Sequence, residues 1–140
     1  MENMEKAMKM AREASADKMR IHANFLGISD IDMDTQVART DKEIRIDYRK
    51  KAAEDSKGFI DSFNDKTIET KYYIERALTD GTISNSINPN KVMWKAGNKE
   101  ILDISGIRSR EGMVERLVEF TQVDEKGEEF AIMLKAIYSK

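Results

Sequence analysis

The change from helix to strand near residue 80 constrains this fold more than any other feature of the 140-residue sequence. A helical pattern ends at Asp80-Gly81, where glycine can adopt the left-handed conformation that closes a helix. The next three residues form a short strand candidate, and residues 91–95 and 99–104 then flank a glycine-containing turn, as in a β-hairpin. The sequence therefore predicts a helix that leads directly into a small sheet.

The rest of the chain is predicted to be largely helical. Thr40 and Glu43 form a capping box that opens a helix over about residues 41–57. Further helices are predicted over about residues 66–79, 109–122 and 128–139, the last of which is expected to bury Phe130, Met133, Leu134 and Ile137. The predicted class is α+β and mostly helical, with a β-hairpin or three-stranded sheet and a C-terminal helical hairpin.

Residues 1–27 are predicted to form a helical arm that ends at Gly27. Its apolar side chains recur every three or four residues and form a narrow seam, Met1, Met4, Met8 and Ala11. A seam this narrow cannot form a core of its own, so it suits packing against another helix, in this chain or in a neighbouring copy. A solvated arm that docks weakly is the alternative. A connector over 28–40 and a single compact module over 41–140 complete the predicted division.

Composition and charge exclude several classes of protein. The 24 basic and 26 acidic residues give a net charge of −2, which argues against a protein whose whole surface binds a phosphate backbone. The absence of cysteine excludes disulfides, thiolate metal sites and cysteine nucleophiles. No stretch is apolar over the roughly 18 residues of a membrane span. The N-terminus lacks the pattern of a secretion signal, so we expect a cytoplasmic protein that does not insert into membranes.

One acidic stretch imitates a calcium-binding loop. Asp30, Asp32 and Asp34 alternate as such a loop requires, but threonine occupies the sixth position, where the loop needs glycine. The twelfth position is aspartate instead of the bidentate glutamate. We therefore expect no metal site here, but an extended connector with Ile31 and Met33 turned inward.

Catalytic motifs are missing from the sequence. It contains no P-loop, no Gly-x-Gly-x-x-Gly and no His-Glu-x-x-His. His22 is the only histidine and has no evident serine or metal partner along the chain, so we expect it to be a surface or half-buried side chain. The sequence predicts neither an enzyme nor a bound cofactor.

The segment from Thr67 to Ile83 resembles the part of the winged-helix superfamily that leads from the recognition helix to the wing, and the likeness extends over residues 41–104. This resemblance implies that the helix reads DNA and that the hairpin is the wing. Turning the helix by 100° per residue places Ile74 on the core side. The predicted nucleic-acid contacts are Lys66, Tyr73 and Arg76 on the opposite side, with Lys95 in the hairpin. Glu69 in the same surface counts against phosphate contact, so an ordinary solvated face is favoured.

A charged helical arm followed by a compact α+β module also resembles small uncharacterised proteins of tailed bacteriophages, chiefly over residues 59–104. This likeness implies a virion or genome-associated role in an infected bacterium.

The functional hypothesis from the sequence is a non-enzymatic structural or interaction protein in an oligomeric assembly, such as a phage virion. The predicted partner contacts are Met1, Met4, Met8 and Ala11 in the arm and Met93 in the hairpin. Strand alternation assigns Met93 to the face opposite Val92 and Trp94. The alternative is a winged-helix-like DNA-binding regulator or genome-associated accessory protein. A third hypothesis is an inhibitor of a host enzyme that docks through the hairpin edge.

Overall fold

Seven α-helices and a three-stranded antiparallel sheet form the described part of the chain, residues 2–139, in a computed structural model. This confirms the prediction of a mostly helical α+β protein with a small sheet. The chain divides into two units, and the boundary lies between Glu69 and Thr70. The predicted division into residues 1–27, 28–40 and 41–140 is therefore not the one that the structure has.

The helices of the first unit are α1 (Glu2–Glu13), α2 (Ala16–Phe25), α3 (Asp41–Glu54) and α4 (Ser56–Phe63). Helix α5 (Lys66–Asp80) contains the boundary. The second unit continues with β1 (Ile83–Ser84), β2 (Lys91–Trp94), β3 (Glu100–Asp103), α6 (Arg110–Val123) and α7 (Glu125–Tyr138).

Short polar side chains break the predicted N-terminal helices into pairs. Ser15 accepts a hydrogen bond from the backbone N of Lys18 at 3.2 Å and begins α2, so residues 1–26 do not form one helix. Asp55 ends α3 and begins α4, where its carboxylate accepts from the backbone N of Gly58 at 3.1 Å. Such local hydrogen bonds compete with helix continuation, which explains both breaks.

The core of the first unit includes α1, so the N-terminal segment is not a separate arm. Helix α1 packs against α3 and α4, and α2 packs against α3. Eight side chains form this core: Ala7, Ala11, Met19, Ala23, Ile44, Tyr48, Ala52 and Phe59. Arg45 fastens the end of α1, because its guanidinium donates to the carbonyl oxygens of Ala11 at 2.9 Å and Ala14 at 3.0 Å.

The second unit contains the predicted helix stop and hairpin. Gly81 has a φ of 82° and ends α5, as the Asp80-Gly81 pattern predicts. The three strands follow one another in the order β1-β2-β3, with Ile83 opposite Trp94 and Val92 opposite Leu102.

Helix α7 packs so closely against α6 that position 127 has no room for a side chain. A Cβ atom built on Gly127 would lie 1.9 Å from the carbonyl oxygen of Phe120. Helix α7 also begins earlier than predicted, because Asp124 caps it by accepting from the backbone N of Lys126 at 2.8 Å. Residues 124–127 are therefore not the predicted turn between the last two helices.

Candidate functional site

Helix α7 carries a second apolar face that no other described residue covers. The buried face contains Gly127, Phe130 and Leu134, whereas Met133 and Ile137 are exposed, contrary to the prediction that they lie inward. At 100° per residue, four apolar side chains fall on one side of α7 and form what we call the outer stripe, Ile132, Met133, Ala136 and Ile137. The exposed fractions are 62% for Ile132, 50% for Met133 and 42% for Ile137. A helix that is apolar on two sides has a surface that water solvates poorly.

Charged residues flank the outer stripe at its N-terminal end. Glu125 and Glu129 are exposed and fall on the same side of α7 as the stripe. Glutamates in the first turns interact favourably with the positive end of the helix dipole, which accounts for their position without a catalytic role. Lys126 is also exposed on this side of α7, so the stripe is an apolar surface with a border of mixed charge at one end.

The predicted partner contacts differ in how far their side chains are exposed. Ala11 is completely buried in the core of its own chain, so its prediction as a partner contact is wrong. Met8 is half-buried and packs against the same core, while Met4 is exposed and Met1 lies outside the described residues. Met93 is half-buried, so its role as a partner contact stays a prediction. Helix α1 packs against α3 and α4, so Ala11 and part of Met8 are covered within the chain, whereas Met4 is not.

One predicted nucleic-acid contact, Tyr73, is wrong because the side chain is buried. Its ring stacks on that of Tyr138, with centroids 6.0 Å apart, and the guanidinium of Arg76 lies 4.7 Å from the centre of the Tyr138 ring. Turning α5 by itself could not reveal that a residue 65 positions later covers this side. Lys66, Arg76 and Lys95 are exposed, and DNA contact through them stays a prediction.

Asp80 joins the end of α5 to the end of α7. Its carboxylate accepts from the hydroxyl groups of Thr82 at 2.6 Å and Tyr138 at 2.6 Å. The Thr82 hydrogen bonds, followed by the Tyr138 bond, hold the pKa of Asp80 below its usual value. The helix stop at Asp80-Gly81 therefore has a structural explanation in this unit.

His22 is buried, with 2% of its surface exposed, instead of lying at the surface or half-buried as predicted. Its Nδ1 is 2.7 Å from the hydroxyl of Tyr48, and its Nε2 is 2.7 Å from that of Ser62. The Ser62 hydroxyl donates to the carbonyl oxygen of Gly58 at 2.8 Å, so it accepts from Nε2–H. Nδ1 then accepts from the Tyr48 hydroxyl, and the ring is neutral.

Burial and a nearby cation both favour this neutral ring. Burial lowers the pKa of His22 to about 4, and the positive charge of Lys18 acts in the same direction. Burial also raises the pKa of Tyr48, which therefore keeps the proton that it donates. Because Ser62 gives its proton to a carbonyl and not to the imidazole, His22 does not activate it as a nucleophile. This His22–Tyr48–Ser62 cluster instead connects α2, α3 and α4.

Replacing Tyr48 by phenylalanine should destabilise the first unit by about 1–3 kcal/mol, because Nδ1 of His22 would become a buried acceptor without a donor. Urea unfolding followed by circular dichroism would measure the loss. Tyr72→Phe is the matched control, since no hydrogen bond of the Tyr72 hydroxyl is described and the side chain is only half-buried. Equal stability of the two variants would contradict the assigned hydrogen bond.

The acidic segment that imitates a calcium loop forms a small hairpin. Ile31 pairs with Ala38, and the carboxylate of Asp32 accepts from the backbone N of Asp34 at 2.9 Å. Ile31 and Met33 are exposed, so the prediction that they turn inward is wrong. The backbone groups of this short loop form hydrogen bonds across the hairpin, so the loop does not depend on buried apolar side chains. Among the described residues, no three side chains of the types that bind metals are grouped so as to hold an ion.

A cavity of about 330 Å³ lies in the second unit near the start of α6. Its apolar wall includes Leu78, Ile104 and Met113. The polar groups at its edge are used within the fold, since Arg110 donates to the hydroxyl of Thr79 at 2.6 Å and Ser109 caps α6. The cavity therefore offers few polar groups to a ligand.

Each helix in the described range is too short or too polar to cross a lipid bilayer. Comparison of the chain with protein-family models, with curated proteins and with solved structures finds no match.

Proposed function

We propose that this protein is a non-enzymatic interaction protein that works in an oligomeric assembly, and that the outer stripe of α7 is its interface. The observation that carries the proposal is the exposure of Ile132, Met133 and Ile137 on a helix whose opposite side is already in the core. Complete burial of one such side chain contributes about 1.5–3 kcal/mol, so covering the exposed part of several is a sizeable driving force.

Support for an assembly comes from α7 and not from the N-terminal seam. Ala11 is buried and Met8 is half-buried within their own chain, so these two side chains gain little from a partner. Met4 remains exposed beside them. The outer stripe contains three large exposed apolar side chains within two turns of one helix, which is a denser apolar surface than the remainder of the seam.

The non-enzymatic part of the proposal is supported by the use of the buried polar groups. His22 makes hydrogen bonds with the hydroxyl groups of Tyr48 and Ser62, and the Ser62 hydroxyl also donates to a backbone carbonyl. The imidazole ring packs against the rings of Phe59 and Phe63. Groups occupied in this way hold helices together. We also propose a cytoplasmic location, in an assembly such as a phage virion.

The test is the association state of the purified protein by sedimentation equilibrium over a range of concentrations. We expect the unaltered protein to associate, and Ile132→Asp to weaken association by about tenfold or more, as loss of a central apolar contact does. Ile46→Asp is the matched control, because Ile46 is a helical isoleucine with 49% of its surface exposed in the other unit. A protein that stays monomeric throughout, or an equal effect of both substitutions, overturns the proposal.

A further inference from the structure

Helix α3 carries its positive and negative side chains on different sides. At 100° per residue, three cations fall within about 60° of one another: Lys42, Arg45 and Arg49. Three carboxylates fall together on another side, each at least about 100° away from these cations: Glu43, Asp47 and Glu54. This separation leaves the cations with few carboxylates of their own helix within reach of an ion pair.

The carboxylate that does lie close to the cations is already paired. Asp41, in the first turn of α3, accepts from Nε of Arg20 in α2 at 2.7 Å. Lys42 and Arg49 are exposed, and neither forms an ion pair with another described residue. Contacts within the described part of the chain therefore do not offset their charges.

Helix α1 adds a further cation beside α3. The Arg45 guanidinium lies 2.9 Å from the carbonyl oxygen of Ala11 and 3.5 Å from that of Arg12, so the C-terminal end of α1 adjoins this side of α3. Arg45 is half-buried and held by these carbonyls, so it joins the two helices and is not available to a ligand. Arg12 is exposed and has no ion pair in the described range. The three exposed cations form what we call the basic surface: Arg12, Lys42 and Arg49.

We propose that the basic surface binds the phosphate backbone of a nucleic acid. The guanidinium groups of Arg12 and Arg49 match the geometry of phosphate oxygens, with which arginine forms paired hydrogen bonds. Lys42 and Arg49 are seven residues apart, which is about 10.5 Å along the axis of α3. That length corresponds to about three nucleotide steps along one strand of a duplex. The proposal goes beyond the proposed function, because it gives the first unit a surface and a partner of its own.

A nucleic acid fits this surface better than an anionic membrane does. A helix that lies in a membrane interface needs a broad apolar face next to its cations. The apolar face of α3 is already in the core, and Ile46 is the only large exposed apolar side chain that this helix contributes near the cations. A lipid surface would therefore gain little burial. Contacts to phosphates alone position a protein without reading bases, so we expect little sequence preference.

The number of cations sets the expected salt dependence. Each phosphate contact contributes about −0.9 to the slope of the logarithm of the association constant against the logarithm of salt concentration, so three contacts give about −3. Binding should therefore weaken by about 40-fold between about 50 and 200 mM salt. The net charge of the chain is −2, so the whole protein is not attracted to DNA at long range and binding should be weak.

Fluorescence anisotropy of a dye-labelled DNA duplex of about 20 base pairs, titrated with the full chain, measures this binding. Arg49→Glu should weaken it by about tenfold or more at low salt and reduce the salt slope by about one. Lys42→Glu should act in the same way, so the result does not depend on one variant. Lys51→Glu is the matched control, because Lys51 is exposed on the same helix but about 160° away from Arg49. It makes the same change in net charge and should weaken binding by less than about threefold.

The outcomes decide the proposal. Absence of binding at about 50 mM salt, or equal losses for Arg49→Glu and Lys51→Glu, overturns it. A loss caused by Arg76→Glu in α5 and not by Arg49→Glu overturns it too, because the contact would then be on α5. Vesicles of phosphatidylcholine and phosphatidylserine are the second probe, and tighter binding to them than to the duplex would show that the surface recognises lipid instead.

Discussion

Replacing Gly127 by alanine is expected to destabilise the second unit by about 3 kcal/mol or more. The new Cβ would lie 1.9 Å from the carbonyl oxygen of Phe120 and 2.9 Å from the Cα of Thr121, and neither backbone atom can rotate away. Helix propensity alone would favour alanine over glycine by about 1 kcal/mol, so a net loss would show that packing dominates. Relief of the clash requires α7 to move away from α6, which also removes Phe130 from its contacts.

The only tryptophan makes this measurement specific to the second unit. The ring of Trp94 lies 5.5 Å from that of Phe130, so its fluorescence during urea unfolding reports the region that α7 covers. Gly112→Ala in α6 is the control, because its nearest neighbours are side-chain atoms of Ser109 and Ile107 at 3.0 and 3.1 Å, which can shift. A Gly127→Ala protein as stable as the Gly112→Ala protein would contradict the close α6–α7 contact.

Acid should destabilise the first unit through His22, with a total loss of about 3 kcal/mol between pH 6.5 and pH 4. Burial lowers the pKa of His22 from 6.5 to about 4 in the folded chain, and Lys18 adds to the effect. The unfolded chain therefore binds a proton in this window that the folded chain does not, so stability falls as the pH falls. Well above pH 6.5 the imidazole is neutral in both states and contributes no pH dependence.

The groups around His22 also favour the neutral imidazole, as its lowered pKa requires. Protonation would place a second positive charge near Lys18, and it would turn Nδ1 into a donor facing the Tyr48 hydroxyl, which is itself a donor. Arg45, which also acts on Tyr48, is a cation and cannot stabilise the imidazolium. The lowered pKa of Asp80 makes stability fall in the same direction, but only at about pH 4 and below, and it acts in the second unit.

A single histidine allows an unambiguous titration by nuclear magnetic resonance. We expect the imidazole of the folded protein to titrate near pH 4 and that of the protein in concentrated urea to titrate near 6.5. A folded-state value close to 6.5 would contradict the burial of His22 and the stability loss derived from it. The Tyr48→Phe variant should titrate higher than the unaltered protein if loss of the cluster admits water to the ring.

Elements that depend on neighbours along the chain could be predicted from the sequence. The Thr40–Glu43 capping box is present, with the Glu43 backbone N 3.2 Å from the Thr40 hydroxyl. Gly81 and Gly97 both have positive φ values, and each is at the end of a helix or in a hairpin turn as predicted. These signals work because their partners are a few residues away, so that tertiary packing is not needed to specify them.

The candidate interface on α7 could not be predicted from the periodicity of the sequence. The spacing of Phe130, Met133, Leu134 and Ile137 predicts one inward face for the last helix, yet only Phe130 and Leu134 are buried. Periodicity identifies which residues share a side of a helix, but it does not say which side meets the core. The close approach at Gly127 sets the rotation of α7, and that contact involves the backbone of a different helix. A glycine within a helical run and apolar residues on two sides were the signals that could have indicated the outer stripe.

By itself, the sequence determined the fold class, the positions of most helix ends and the hairpin, because each depends on local backbone geometry and hydrogen bonds. Only the tertiary structure decided that α1 belongs to the first core, that Tyr73 is covered and that His22 meets Tyr48 and Ser62. The partners of His22 are 26 and 40 residues away in the chain. Contacts over such separations depend on how all the helices pack at once, and no pattern along a single helix encodes that arrangement.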